Sequence, residues 1–199
     1  PNFAYAFSNL GSIARKSNKL EEAEICTRKA IELNPNFAEA YSNLGGILME
    51  LCKLEEAEIC TRKAIELNPN FANAYTNLGL ILYEGGKMKE AEICTRKAIE
   101  LNPNFAKAYY SLSKIESFTS GKDWEDYLFT EDILQKQKDV DKIDIYFARA
   151  NILDRQSNYI QSANMLREAN TLNRKLYGTN FNRIKNQLKY YCEISKKIR

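Results

Sequence analysis

Leu20 to Ala38 reads LEEAEICTRKAIELNPNFA; the same nineteen residues return at Leu54–Ala72, and again at Met88–Ala106 with only the first two changed to Met88-Lys89. Each copy starts 34 residues after the one before, so one structural unit is written three times in tandem. Within it, Leu54, Ala57, Ala64, Ile65 and Leu67 recur at helical spacing, which predicts a helix over about 54–67. Asn68-Pro69-Asn70 should stop that helix: Asn tolerates a left-handed C-terminal cap, Pro cannot continue a helix but can open one, and Asn70 can cap the next. Upstream, Ala40, Tyr41, Leu44, Gly45, Ile47 and Leu48 form one broad apolar face of a preceding helix over about 38–51. The unit is therefore a pair of helices, A then B, joined by a turn around Cys52 and Lys53.

Composition limits the chemistry. The chain has 199 residues, 44% apolar and 28% charged, the balance of an ordinary globular protein. Its longest apolar runs fall well short of the ~20 residues a membrane-spanning helix needs. With no His, the commonest general base and metal ligand is missing, and with it every Ser-His-Asp or Cys-His arrangement. Cys26, Cys60 and Cys94 repeat in register, but equivalent positions on stacked helices lie ~10 Å apart, too far to share a zinc ion at ~2.3 Å from each sulfur. No metal site and no cofactor is expected; five cysteines without a secretory signal fit free thiols in a reducing, cytoplasmic compartment. The opening Pro1-Asn2-Phe3-Ala4 is mid-repeat grammar, as in a piece of a longer protein.

Charge is uneven. Residues 171–199 carry eight basic side chains against Glu193, so the net +3 divides into +7 there and −4 over residues 1–170. Basic and aromatic residues together can mark a nucleic-acid surface, but Phe181, Ile184, Leu188 and Tyr191 recur at helical spacing and leave the lysines on the wet face. The reading is an amphipathic capping helix over 177–199, with neither nucleic acid nor membrane as a partner. Asp139, Asp141 and Asp144 do not make a calcium loop, since Ile143 stands where an oxygen ligand is needed and no Gly follows for the turn.

Two helices per 34 residues, with Tyr41, Leu44, Gly45, Leu48, Ala57, Ala64 and Pro69 so spaced, resemble a tetratricopeptide repeat. Matching sets are Phe7, Leu10, Gly11, Ala23, Ala30, Pro35 and Tyr75, Leu78, Gly79, Ala91, Ala98, Pro103. The resemblance implies an all-α fold, an α-solenoid in which antiparallel helix pairs stack into a right-handed superhelix. Thr27, Thr61 and Thr95 depart from the family, which often has a large aromatic there; packing at that point should be compensated by neighbours or slightly loose. Residues 1–102 hold the three regular units, 103–140 a degenerate fourth with a linker, and 141–176 a fifth on the same grid (Tyr146, Ala150, Leu153, Tyr159, Ser162, Leu166, Ala169, Leu172). In the fourth, Ser113 replaces the packing Gly, and after Ser120-Gly121-Lys122 one helix, capped by Asp123, should run through Trp124, Leu128, Ile133 and Leu134. A polar linker over about 136–141 should follow it.

The glycines are too dispersed for a phosphate-binding loop. Glu24, Arg28 and Glu32, spaced i, i+4, i+8, should form a solvated ion ladder along helix B, worth a few tenths of a kcal/mol per pair. The expectation is a chain with no active site. Successive regular units differ at eight of 34 positions, mostly on helix A and the turn after it, while 23–34 and its copies do not change at all. The resemblance places helix A on a concave groove, so Tyr5/Glu39/Asn73, Ser12/Gly46/Leu80 and Arg15/Met49/Tyr83 should face a bound partner; recent duplication with drift would give the same pattern. Asn9, Asn43 and Asn77 stay constant and resemble the asparagine ladder of O-GlcNAc transferases, where an amide can both donate to and accept from a peptide backbone. The ladder ends after three rungs, since Ser111 and Ala148 follow. The inner positions lack the lysine and arginine set of a chaperone-tail carboxylate clamp.

The expected function is a scaffold that binds an extended peptide. The alternative is the non-catalytic part of a larger enzyme: Tyr146–Lys175 resembles the segment that joins such repeats to a sulfotransferase domain in some bacterial proteins. Ile25, Ile59 and Ile93 fall opposite the apolar stripe of helix B, among Glu21, Arg28, Glu32 and their copies. Either charged stems cover them or they form a convex contact ladder, which could also serve a homo-oligomer; partial exposure is expected.

Overall fold

The computed structural model describes residues 2–115 and 123–178. The capping helix expected over 177–199 and the turn at Ser120-Gly121-Lys122 therefore lie outside the described residues, apart from Tyr177 and Gly178. Three regular helix pairs come first: α1 (Asn2–Lys16) with α2 (Leu20–Leu33), α3 (Ala38–Glu50) with α4 (Leu54–Leu67), and α5 (Ala72–Glu84) with α6 (Met88–Leu101). Then follow α7 (Ala106–Lys114), the short α8 (Asp123–Leu128) and α9 (Glu131–Gln135), α10 (Asp139–Arg155) and α11 (Tyr159–Tyr177). Each A helix packs on its own B helix, and each B helix on the next A helix; the A helices α1, α3, α5 and α7 also touch in sequence, whereas successive B helices approach less closely. A row of rods closer along one side than the other must curve toward the closer side, so the A helices line the concave face.

Helix A meets helix B at a glycine. A Cβ on Gly11, Gly45 or Gly79 would fall 2.3, 2.0 or 2.2 Å from the Oγ1 of Thr27, Thr61 or Thr95. Those threonines are fully buried, and each hydroxyl donates to the carbonyl four residues back, Ala23, Ala57 or Ala91, at 2.7 to 2.8 Å. Of the two outcomes expected at this position, compensation by neighbours is the one found: a small hydroxyl side chain lets the helices close on one another at the facing glycine. Around this seam Leu44, Ile47, Leu48, Ile81 and Leu82 are buried, each worth about 1.5–3 kcal/mol.

The turns differ from expectation. Asn34, Asn68 and Asn102 end helix B in extended backbone rather than a left-handed cap. Each Oδ1 instead accepts from the amide two residues on, at 3.1 to 3.2 Å, so the connector is an Asx turn. Helix A then starts after Phe37, Phe71 or Phe105 with no side-chain cap, and Asn70 does not cap it. In the regular units the left-handed residues are Asn18, Cys52 and Gly86, in the A-to-B turn, where the amides of Lys19, Lys53 and Lys87 reach back to the carbonyls of Ala14, Leu48 and Leu82 in the Schellman pattern.

The ion ladder also takes a different course. Arg28 pairs with Glu24, as the spacing predicts, but then crosses to Glu56 of the next unit rather than descending to Glu32, which pairs with Lys29. Lys53 returns to Glu24 at 2.8 Å, and Lys87 to Glu58 at 2.9 Å, so these charges tie units together. The Lys53 ammonium, then Arg28, against an opposing contribution from burial, hold the Glu24 carboxyl below the usual range; Lys87 and Arg62 do the same for Glu58. A depressed carboxylate contributes stability that is complete above its unfolded pKa and is lost as pH falls through the folded value. We expect the thermal midpoint to fall as pH drops below about 4, and the Glu24→Gln/Glu58→Gln double variant to lose less over that interval. The difference should be a few tenths to about 1 kcal/mol per site; equal acid sensitivity of the two proteins in thermal melts would remove these groups from the account.

The fourth unit breaks the pattern. In place of one helix through Trp124 and Leu134 there are two, interrupted at Phe129 and Thr130, with Thr130 extended. Trp124, Leu128, Ile133 and Leu134 still reach the core, joining Tyr109, Leu112, Ile115, Ile145 and Ile152. Arg149, buried on α10, holds the break open: its Nε donates to the Leu128 carbonyl at 2.8 Å and an Nη to the Thr130 carbonyl at 2.6 Å. The residues read as a polar linker divide accordingly, with α10 beginning at Asp139. α10 stacks directly on α7 and pairs with α11, fastened by Asn151 to Ser113 at 2.9 Å and Arg155 to the Ile115 carbonyl at 2.9 Å.

Candidate interaction groove

Along the A helices the sequence-predicted residues separate into three groups. Tyr5, Glu39 and Asn73 are exposed, as is Asn9. Ser12, Arg15 and Asn43 are half-buried and, with Lys16, Ile47 and Glu50, line a cleft of ≈ 410 Å³ between α1 and α3. Leu80, Met49 and Tyr83 are half-buried, and the last two pack against the core, Met49 beside Leu44, Leu48 and Ile81. Gly46 lies under Arg15: a Cβ there would fall 2.8 Å from the guanidinium, which runs on to Glu50 at 2.7 Å. The large residue at 15 and the missing side chain at 46 are thus contact partners across a unit boundary.

The constant asparagines differ in what they offer. Asn43 Nδ2 reaches Ser8 Oγ at 3.3 Å and Ser12 Oγ at 3.4 Å in the unit before. Asn77 is 6% exposed; its Nδ2 donates to the Ser42 carbonyl and hydroxyl at 3.2 and 3.1 Å, and its Oδ1 accepts from Lys107 Nζ at 3.0 Å. An amide mid-helix is a weak helix former, and here it earns its place by joining one A helix to the previous one. Asn9 is exposed and Asn43 half-buried, whereas Asn77 is buried and bonded to its neighbours on both sides of the amide.

Lys107 did not figure among the predicted residues, although it continues the register of Tyr5, Glu39 and Asn73 by one more step of 34. It is a half-buried cation on the concave face. Burial first, then the positive charge of Arg15, push its ammonium below the ordinary lysine range, with Asp144 and Glu50 opposing. Lys114, next in the register of Ser12, Gly46 and Leu80, lies 4.4 Å above the Tyr110 ring. On the opposite side, Ile25, Ile59 and Ile93 are 70%, 68% and 65% exposed. Among the described residues no helix is long and apolar enough to cross a membrane, and no cluster of acids and cysteines could hold a metal ion.

The tetratricopeptide repeat profile matches residues 4–37, 38–71 and 72–105. The chain belongs to the tetratricopeptide repeat family, whose domains are protein-interaction modules and non-catalytic scaffolds. Among solved structures it is similar to the first such domain of Spaghetti (RPAP3) bound to the HSP90 peptide SRMEEVD: 26% identity over 57% of this chain and 90% of that one, with a TM-score of 0.54. The Arabidopsis OM64 domain gives 26% identity over 57% and 93%, with a TM-score of 0.54. The first domain of human RPAP3 shares the fold at 23% identity, covering 69% and 99%, with a TM-score of 0.55. No curated protein matches the chain.

Proposed function

We propose that this chain is a scaffold that binds an extended segment of a protein partner along the concave face of its A helices. The observation that carries the reading is the cleft beside Asn43, where an amide, the Ser12 hydroxyl and the Arg15–Glu50 pair meet over the apolar floor of Ile47. Amides at Asn9 and Asn43 offer a donor and an acceptor to a peptide backbone. Further along, Lys107 offers a partly desolvated ammonium, which favours an acidic side chain on the segment. The similarity to a domain that binds the HSP90 peptide SRMEEVD supports a peptide ligand. The side chains differ from a carboxylate clamp, with Tyr5, Asn73 and Asn77 on the inner face, so a different acidic segment is the proposed ligand.

Random peptides displayed on phage and selected on the wild-type chain provide the test. Affinity for the selected peptides, measured by fluorescence anisotropy, should fall about tenfold or more, at least 1.4 kcal/mol, in Asn43→Ala and in Lys107→Ala, with helical content unchanged. Ile59→Ser, on the convex side, should bind as wild type. Peptides insensitive to Asn43 and Lys107, or lost on changing Ile59, would sink the groove.

A further inference from the structure

The cleft between α1 and α3 gathers more positive charge than its own acids offset. Arg15 uses Nε and Nη2 on Glu50, at 3.1 and 2.7 Å, while its Nη1 lies over Gly46, where a Cβ would stand only 2.8 Å away. That nitrogen makes no hydrogen bond among the described residues. Lys16, the next residue, lines the same cleft, is exposed, and has no ion pair among the described residues. From the other direction Lys107 reaches back from α7 to Asn77 Oδ1 on α5, at 3.0 Å. It comes close enough to the cleft that the charges of Arg15 and Glu50 both act on its ammonium, as do those of Asp144 and Lys114.

Within that set Arg15 and Lys114 offset Glu50 and Asp144, so the charges of Lys16 and Lys107 are left over. The donors left over are their ammonium groups and Arg15 Nη1. A carboxylate would answer one of the two charges, and with two oxygens it leaves one donor group without an acceptor. A phosphate monoester carries about 1.5 to 2 negative charges at neutral pH and three strong acceptor oxygens, which matches both the charge and the three donor groups. Guanidinium and ammonium donors bind such oxygens through charge-assisted bonds, roughly twice as strong as neutral ones. The cleft of ≈ 410 Å³ falls in the range that holds a small ligand, which leaves room for one phosphorylated side chain.

We infer, resting on the groove reading above, that this cleft receives a phosphoserine or phosphothreonine of the partner's extended segment, its phosphate held by Arg15, Lys16 and Lys107. The Asn43 amide on the cleft wall then faces the backbone beside the phosphorylated residue. A free phosphate would make the same charged contacts and leave that amide unused. Glu50 keeps the Arg15 side chain extended over Gly46 by two bonds to one carboxylate oxygen, so the guanidinium is in place before the ligand arrives.

The test titrates the full chain into fluorescein-labelled peptide pools, degenerate on both sides of a central phosphoserine, glutamate or serine, with anisotropy as the readout. The phosphoserine pool should bind about tenfold or more tighter than the glutamate pool, and the serine pool should be the weakest. Lys16→Gln, a change at an exposed residue that should leave helical content as it is, should cut the phosphoserine-to-glutamate ratio to about threefold or less, and Lys107→Gln should do the same. Ile59→Ser should leave the ratio unchanged. Pools that bind alike overturn the proposal, as does a ratio indifferent to both lysine variants. Inorganic phosphate that displaces the phosphoserine pool with the pool's own affinity would assign the cleft to the free ion and overturn it equally. In each of those cases, phage-selected peptides that still depend on Asn43 would leave the groove reading standing, and their insensitivity to Asn43 would bring both down.

Discussion

Arg149→Met should destabilise the C-terminal half of the chain by about 3–5 kcal/mol, the largest single-residue effect expected outside the regular units. Two hydrogen bonds from a charged donor are lost, each contributing roughly 1.5–3 kcal/mol, and the carbonyls of Leu128 and Thr130 lose that donor. Met supplies much of the stem's volume, so the loss reports on the polar contacts more than on a cavity. Burial pushes the guanidinium's pKa down, yet it stays charged at any pH the fold survives. In a repeat array each unit contacts mainly its neighbours, so a local loss separates the transitions. Trp124, the only tryptophan, sits 8% exposed in the α8 core and reports on that half alone. Its fluorescence midpoint in urea should fall well below the far-UV dichroism midpoint; coincident midpoints at the wild-type value would show that Arg149 does not hold the break. Arg149→Lys keeps a charge but cannot fork to two carbonyls, and should recover only part of the loss.

That break marks where the sequence stops being readable. The three regular units were legible because a 34-residue period states the A and B helices three times over, and the small residues Gly45 and Ala57 locate the seam between them. The interruption at Phe129–Thr130 depends on an arginine about twenty residues away, and no local propensity announces it. The apolar positions Trp124, Leu128, Ile133 and Leu134 were read as lying on one helix; all four reach the core, but their spacing suits two helices as well as one. Along the A helices, constancy singled out Asn9, Asn43 and Asn77 but could not foresee that Asn43 bonds Ser8 and Ser12 while Asn77 bonds Ser42 and Lys107. Variation at position 15 pointed to a partner, and the structure supplies one inside the molecule, since Arg15 occupies the space that Gly46 leaves. Lys107 was within reach, one further step of the same period.

Gly45→Ala and Gly46→Ala change adjacent residues of α3 in the same way and should have opposite outcomes. Either replacement gains up to about 1 kcal/mol in helix propensity. At Gly45 the new Cβ would fall 2.0 Å from Thr61 Oγ1 and 3.2 Å from the Ala57 carbonyl. Thr61 cannot turn aside without giving up its 2.7 Å bond to that carbonyl, and it is fully buried. Overpacking of this sort costs about 1–3 kcal/mol, and the displaced hydroxyl adds roughly 1 more; a net loss of about 1–3 kcal/mol is expected. At Gly46 the nearest atoms belong to the tip of Arg15, a flexible side chain whose partly exposed pair with Glu50 contributes less than about 1 kcal/mol. Arg15 can swing away, so Gly46→Ala should be neutral or slightly stabilising. Thr61→Ala supplies the internal check, because with the hydroxyl gone the methyl at 45 has room. The Gly45→Ala/Thr61→Ala double variant should therefore be more stable than the sum of the single changes by at least about 1 kcal/mol, read from urea denaturation of all four members of the cycle. Additive single changes, or two glycine variants that melt alike, would mean that helices A and B are not held apart by the gap between a glycine and a threonine.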